Sequence, residues 1–335
     1  MITQKEIASR LGISRTTVAR AINGSPSIKP ETKEKIMKLV RETKYEKNYV
    51  GSSLASKKNK KVYALIVHSK NQFYTNEVKR GMEDAIKEYQ LYGYKIKIIA
   101  TDINDPELQI QELKKIVKKK DLAGLIITPL DKKKVYEILE NRIEDIEIIS
   151  LGIKLHKKIY HIGPNYENQG QIAAGIMASL LRKEEKLLVI DNGDDKVSSR
   201  LYLEGFMKRI SSEDIEIIGK IKCNGIEDSI QKIIKICNEE KIKGIYINRY
   251  AHDIFDKLPR ELLEDKKIVT NGLGILIKKL LKERVITATV MEEIKLESYL
   301  ASKTMFEKLY KGKEFTELEK VSKSRIILKE NLSES

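Results

Sequence analysis

Apolar residues along this chain recur with two different periods, and the switch between them marks its parts. In TQKEIASRLGISRTTVARAIN (3–23), Ile7, Ala8 and Leu11 fall on one face of a helix, and Gly12 breaks it. Ser14 is placed to N-cap a second helix whose Val18, Ala21 and Ile22 form the facing stripe. Pro30 suits a first helical turn, and Ile36, Leu39, Val40 and Tyr45 give a third helix an inward face. From Val62 the pattern becomes short apolar runs separated by amphipathic stretches. VYALIVH (62–68), KIKIIA (95–100), GLIIT (124–128) and IEIIS (146–150) predict buried parallel strands, with helices over 75–90, 106–119 and 132–141. A second series follows with IYHIG (159–163), KLLVID (186–191), IEIIGKI (215–221), GIYIN (244–248), residues 266–271 and ITATV (286–290). A helix over 293–310 and a short strand near 325–328 close the fold. The fold class expected is an all-α helix-turn-helix head on an α/β body of two doubly wound parallel-sheet lobes.

Between head and body, NYVGSSLASKKNKK (48–61) is rich in Ser and Lys, with only Val50 and Leu54 as sizeable aliphatics. It reads as a linker, yet Asn48 is a good N-cap and no proline forbids a helix, so it is poised to fold on a partner. The boundaries expected are a head over 1–46, a hinge helix and linker over 47–61, and a body over 62–330. Within the body, one lobe takes about 62–161 and 292–315 and the other about 162–290 and 320–330.

Charge sharpens this division. The chain has 335 residues and a net charge of +15, but residues 1–61 hold 15 Lys and Arg against 5 Asp and Glu, and the remaining 274 hold 49 against 44. A basic head on a nearly balanced body is the electrostatic footprint of a nucleic-acid-binding module. Lys118, Lys119 and Lys120, or Lys132, Lys133 and Lys134, are better explained as solvated helix ends and faces. The second helix leaves Arg15, Thr16, Thr17 and Arg20 pointing outward. That set suits a major groove, where Arg bonds guanine bidentately and Thr touches phosphate or a thymine methyl. Two amphipathic helices of an ordinary helical domain are the plain alternative for this segment alone.

Other chemistries find little support. No Walker A pattern and no glycine-rich dinucleotide fingerprint follows a strand, and His68, His156, His161 and His252 are scattered without a paired nucleophile. Cys223 and Cys237 stand apart without a CxxC or Cys/His cluster, so reduced structural thiols are expected and a metal site is not. No signal peptide and no run of about 18 apolar residues is present, so the expectation is a cytoplasmic protein without cofactor, membrane segment or enzymatic activity.

Head, basic hinge and bilobed body in this order resemble the lactose-repressor and galactose-repressor family of bacterial transcription regulators. The likeness covers nearly the whole chain, and its most specific marks are IASRLGISRTTVARAING (7–24), IKPETKEKI (28–36) and SSLASKK (52–58). In the body, HIGPNYENQGQIAA (161–174) looks like the first crossover between lobes and SSRLYLEGF (198–206) like a ligand-contacting helix. The resemblance implies a homodimer on a pseudo-palindromic double-stranded operator. It places base reading at Arg15, Thr16 and Arg20, with Ser14 and Thr17 nearer phosphates, further DNA contacts at Asn23 and Tyr49, and a minor-groove wedge at Leu54. It also implies an effector, a sugar or polyol, between the lobes at the C-terminal ends of strands, with Phe73, Tyr74, Arg200, Asn248, Asn271 and Glu292 around it. The chain departs from the family at Lys47 (usually proline), Gly272 (aspartate), Glu292 (glutamine) and Arg249 (an acid). The body alone would also suit a solute-binding protein of a transport or chemoreceptor system, which would need an export signal in place of the DNA head.

Overall fold

The computed structural model describes residues 2–22, 28–43, 45, 61–69, 72–191, 196–222, 224–249 and 251–334. Its contacts divide the chain into residues 1–57 and 58–335. In the first unit, α1 (Gln4–Leu11), α2 (Arg15–Ile22) and α3 (Pro30–Glu42) enclose Ile7, Ala8, Val18, Ala21 and Ile36. A capping box fixes the start of α1: Glu6 N–H donates to Thr3 Oγ1 at 3.2 Å, and Thr3 N–H donates to the Glu6 carboxylate at 2.7 Å. Gly12 ends the helix in the left-handed region, φ 65°, where a Cβ would be strained. Ser14 then caps α2 by accepting from Thr17 N–H at 3.0 Å.

The second unit carries two six-stranded sheets. The first is built from β1 (Lys61–His68), β2 (Ile96–Asp102), β3 (Leu122–Ile127), β4 (Glu147–Leu151), β5 (Tyr160–Pro164) and β11 (Glu319–Ser322). They lie in the order β11-β5-β4-β3-β1-β2, and all neighbours are parallel. The second contains β6 (Lys186–Asp191), β7 (Glu216–Lys222), β8 (Ile242–Ile247), β9 (Lys267–Asn271), β10 (Ala288–Glu292) and β12 (Ser324–Ile327). Its order is β12-β10-β9-β8-β6-β7, with only β12 antiparallel to its neighbour.

The helices between them are α4 (Phe73–Glu88), α5 (Pro106–Val117), α6 (Lys132–Leu139), α7 (Tyr166–Leu180), α8 (Val197–Ile210), α9 (Ile226–Glu239), α10 (Ala251–Phe255), α11 (Ile275–Lys282) and α12 (Ile294–Lys311). They cover both faces of each sheet, which is why β1 is buried from Val62 to Val67 without alternation. Successive residues still part company: Ala64 and Ile66 pack with Val78, Met82 and Phe306, whereas Tyr63 and Leu65 pack with Leu113, Val135 and Leu139.

Two features differ from the sequence reading. Residues 320–322, expected with the second lobe, sit in β11 at the edge of the first sheet, paired in register with Ile162–Pro164. The first sheet also extends to Pro164 through β5, beyond the expected change of lobe at 161/162. Both strands are short and carry no pattern that says which sheet they join; pairing with a neighbour decides it.

Glycines set the helix pairs that hold the site. A Cβ on Gly205 would lie 1.9 Å from Glu167 O, and one on Gly170 would lie 2.0 Å from Tyr202 O, so α7 and α8 touch backbone to backbone. That approach brings Tyr166 and Tyr202 edge to face, with ring centroids 5.2 Å apart at 89°.

Candidate DNA-reading head and interlobe site

On the head, Arg15, Thr16 and Arg20 are exposed on one side of α2, while Val18 and Ala21 are buried on the other. Thr17 is half-buried, and its hydroxyl lies 2.9 Å from Ser14 Oγ, so these two hydroxyls serve the cap as well as facing outward. The helix N-terminus therefore presents the Arg15 guanidinium beside its first backbone N–H groups, a combination that attracts phosphate, while Arg20 adds a second guanidinium in the last turn. Asn23, Tyr49 and Leu54 lie outside the described residues.

In the body, side chains at or just after the C-terminal ends of parallel strands in both lobes come together at an interlobe site, called the chamber below. Phe73 and Tyr74 open α4 from the first lobe and are half-buried. Lys278 of α11 lies over the Phe73 ring, 5.3 Å from its centroid, and Lys196 Nζ donates to Ile103 O at 2.8 Å. Both contacts cross from the second lobe to the first. Gly152, at the end of β4, leaves room for two phenols: a Cβ there would be 3.4 Å from the Tyr74 hydroxyl and 3.5 Å from that of Tyr166. Burial pushes the phenols of Tyr74, Tyr166 and Tyr202 up, so all three remain hydroxyl donors at neutral pH.

The charged groups are the least expected part. Glu292 closes β10 and is 8% exposed; Glu297, in the first turns of α12, is 2% exposed. Glu292 lies against the Tyr202 hydroxyl and near the Arg249 guanidinium, yet its Oε2 is buried without a partner. Burial pushes its carboxyl up, and Arg249 and Tyr202 pull it partly back. Glu297 accepts a hydrogen bond from the Ser322 hydroxyl of β11, and burial together with the facing Glu292 charge pushes its carboxyl up to about 8.

Asn248, immediately after β8, donates through Nδ2 to Ser199 O at 3.1 Å, while its Oδ1 is buried and unpartnered. Gln169, on the same face of α7 as Tyr166, is fully buried with neither polar end paired. Unpaired buried acceptors and donors cost about 1–3 kcal/mol each, a cost that a ligand with matching groups would remove.

Several expected residues fall elsewhere. Arg200 is not in the chamber: its side chain is 60% exposed on the outer face of α8 and ion-paired with Glu204 at 2.8 Å. Helix phase explains this, because Ser199, Tyr202, Leu203 and Phe206 form the inward face and leave position 200 outside. Asn271 is buried, but its Oδ1 accepts from the Tyr246 hydroxyl at 2.7 Å, so its acceptor serves a core phenol stacked on Phe206. Gly272 has φ 83° and donates to Val290 O at 2.9 Å, a turn that disfavours a side chain at that position. Tyr166, Tyr202 and Glu297, which carry no distinct mark in the sequence, stand close to Glu292, and Gln169 lies one turn along α7 from Tyr166. Their signal is weak in sequence, since aromatic and carboxylate residues on amphipathic helices read as core and surface.

A hollow of about 690 Å³, lined by Asp121, Glu144, Glu147 and Leu309 among others, lies at the N-terminal ends of β3 and β4. That is the opposite end from where ligands bind open parallel sheets. Among the described residues no group of three or more His, Cys, Asp and Glu could hold a metal ion, and no helix is long and apolar enough to cross a membrane.

Comparison with known proteins places both halves. The profile of bacterial regulatory proteins of the lacI family matches residues 3–48, and that of the periplasmic binding protein domain matches residues 63–314. Catabolite control protein A of Staphylococcus aureus is 24% identical over 274 residues, covering 78% of this chain and 80% of the relative. The protein of that name from Priestia megaterium is 24% identical over 259 residues, 73% of each.

Among solved structures, a putative LacI transcriptional regulator from Bacteroides fragilis superposes with a TM-score of 0.71 at 16% identity, covering 82% of this chain and 99% of that one. A solute-binding protein from Actinobacillus succinogenes with bound D-allose does so with a TM-score of 0.69 at 17% identity, covering the same shares. A DNA-binding head of one profile joined to a body of the other is the architecture of a regulator: the chain belongs to the lacI family of bacterial regulatory proteins, with a periplasmic-binding-protein domain as its body.

Proposed function

We propose that this regulator is a homodimeric repressor acting in the cytoplasm on a pseudo-palindromic operator, and that a sugar or polyol held between its lobes controls it. The observation that carries the DNA reading is the outer face of α2, where Arg15, Thr16 and Arg20 stand clear of a fully apolar interface. Arg15, Thr16 and Arg20 are assigned to base edges, Ser14 and Thr17 to phosphates, and Asn23, Tyr49 and Leu54 to the remaining DNA contacts, with Leu54 as wedge. The two-fold axis of a dimer sets the spacing of two heads to that of two half-sites.

The effector reading is supported by the unpaired Glu292 Oε2 and Asn248 Oδ1 and by the tyrosine hydroxyls around them, a donor and acceptor set suited to a polyhydroxylated ligand. The names of the relatives agree in kind, since one is called a catabolite control protein and another was solved with bound D-allose. Effector binding would favour the closed lobes, whose cross-cleft contacts include Lys196 with Ile103 and Lys278 with Phe73. A shift of the first lobe then changes whether the hinges at 47–61 can pair on DNA, a coupling that must be reciprocal. Gel shifts of the full chain against genomic fragments test the DNA reading. Retention of particular fragments in the presence of excess random DNA is expected; indifference to sequence contradicts it.

A further inference from the structure

The interlobe chamber has more negative than positive side chains at its floor. Glu292 and Glu297 are each more than nine-tenths buried and feel one another's charge, and among the described residues the cation near Glu292 is Arg249. That guanidinium is shared: its Nη1 also reaches Ser198 Oγ at 3.3 Å and Ser199 Oγ at 3.4 Å. Lys278 sits at the mouth over Phe73, on another element.

The remaining neighbours of the pair are neutral hydroxyls, Tyr74, Tyr166, Tyr202 and Ser322, and a third carboxylate, Glu293, half-buried at the start of α12. Two buried carboxylates that face each other, with a guanidinium near only one of them, cannot both stay ionised cheaply, so the pair shares a proton. The unpartnered Glu292 Oε2 meanwhile asks for a donor from outside the protein.

We propose that the effector carries a cationic nitrogen and is an amino sugar, its ammonium seated against Glu292 and Glu297 and its hydroxyls on Asn248 and the three tyrosines. The inference rests on the reading of the chamber as the effector site and adds the charge of its ligand. An ammonium supplies three donors and one positive charge, which satisfies Glu292 Oε2 and balances the second carboxylate. On binding, the carboxyl of the pair that was protonated loses its proton to solvent and becomes the counter-ion of the ligand.

Calorimetry on the full chain tests this, with glucosamine and galactosamine as probes, glucose and galactose as their neutral counterparts, and N-acetylglucosamine as the amine with its charge removed. Each is titrated in two buffers of different ionisation enthalpy. At least one amino sugar is expected to bind about tenfold or more tighter than both its hydroxyl and its acetylated counterparts. Its binding should release close to one proton to the buffer. In Glu292→Gln the preference should shrink to about threefold or less while the neutral sugar still binds, because glutamine keeps the acceptor and loses the charge.

Neutral sugars that bind as well as the amines, without proton release, overturn the charge assignment and leave the sugar-effector reading standing. A chain that binds neither amines nor neutral sugars overturns the sugar-effector reading, and this inference with it. Since wild-type protein alone supplies the comparison, a variant that fails to fold does not remove the test.

Discussion

At the scale of single residues, the same amino acid plays opposite parts according to its helix phase. Arg20 and Arg200 are both exposed, but Arg20 stands in the last turn of α2 with no acidic partner described, whereas Arg200 is engaged by Glu204 one turn away. Arg20→Ala is expected to cost about 1–3 kcal/mol on operator and far less on random DNA, read by competition gel shift. Equal losses on both would make it a phosphate contact. Arg200→Ala should leave effector affinity unchanged and alter stability by no more than about 0.5 kcal/mol, because exposed i,i+4 pairs contribute little.

The sequence made Arg200 conspicuous as the cation of SSRLYLEGF; what it concealed was that the inward turn of α8 belongs to Ser199 and Tyr202. Glu292 was legible as a departure at a strand end. Glu297 was not, since a glutamate in the first turn of a Lys-rich helix looks solvated until β11 is packed over it.

At the scale of elements, apolar runs gave the strands of both sheets to within a few residues, because strands covered on both faces must be continuously apolar. Strand β11 resisted, as its residues 319–321 are exposed and it joins the first sheet only by edge pairing. The contact of α7 with α8 was equally hidden, since glycine in a helix carries no periodic signal; the reason for Gly170 and Gly205 is the backbone of the other helix. Gly205→Ala is therefore expected to destabilise the protein by about 1–3 kcal/mol in thermal or urea unfolding, by forcing α8 off α7. Gly175→Ala, also on α7 but with nothing within 4 Å of the added Cβ, should be neutral or gain up to about 1 kcal/mol of helix stability. Equal effects would show that the close approach does not govern the packing.

At the scale of the whole molecule, buried ionisable groups give stability a pH dependence with two different limbs. Glu297 has a folded pKa raised to about 8, so its protonated form favours the fold; that contribution is complete below its unfolded pKa and is lost as pH rises toward 8. His161, buried on β5 with Nδ1 3.1 Å from Ser150 Oγ, has its pKa lowered by burial to about 4. Its contribution is complete above the unfolded imidazole pKa and is lost as pH falls toward 4. Glu297→Gln should therefore flatten the alkaline limb of urea stability between pH 5 and 8 and leave the acid limb in place. An unchanged alkaline limb would mean that Glu297 is ionised in the fold.

In the proposed function, one chain couples a ligand between the lobes to sequence-specific DNA binding. Fluorescence anisotropy of the full chain on a selected genomic operator and on random DNA, with and without a ligand that raises the melting temperature, tests that claim most directly. Operator affinity is expected to exceed that for random DNA by about a thousandfold or more near physiological salt. It should fall steeply with added salt, as phosphate contacts from the basic head require. The ligand should change operator affinity by roughly 5- to 150-fold, and operator should change ligand affinity by the same factor. A ligand that binds and stabilises the protein while operator affinity stays the same would contradict the claim.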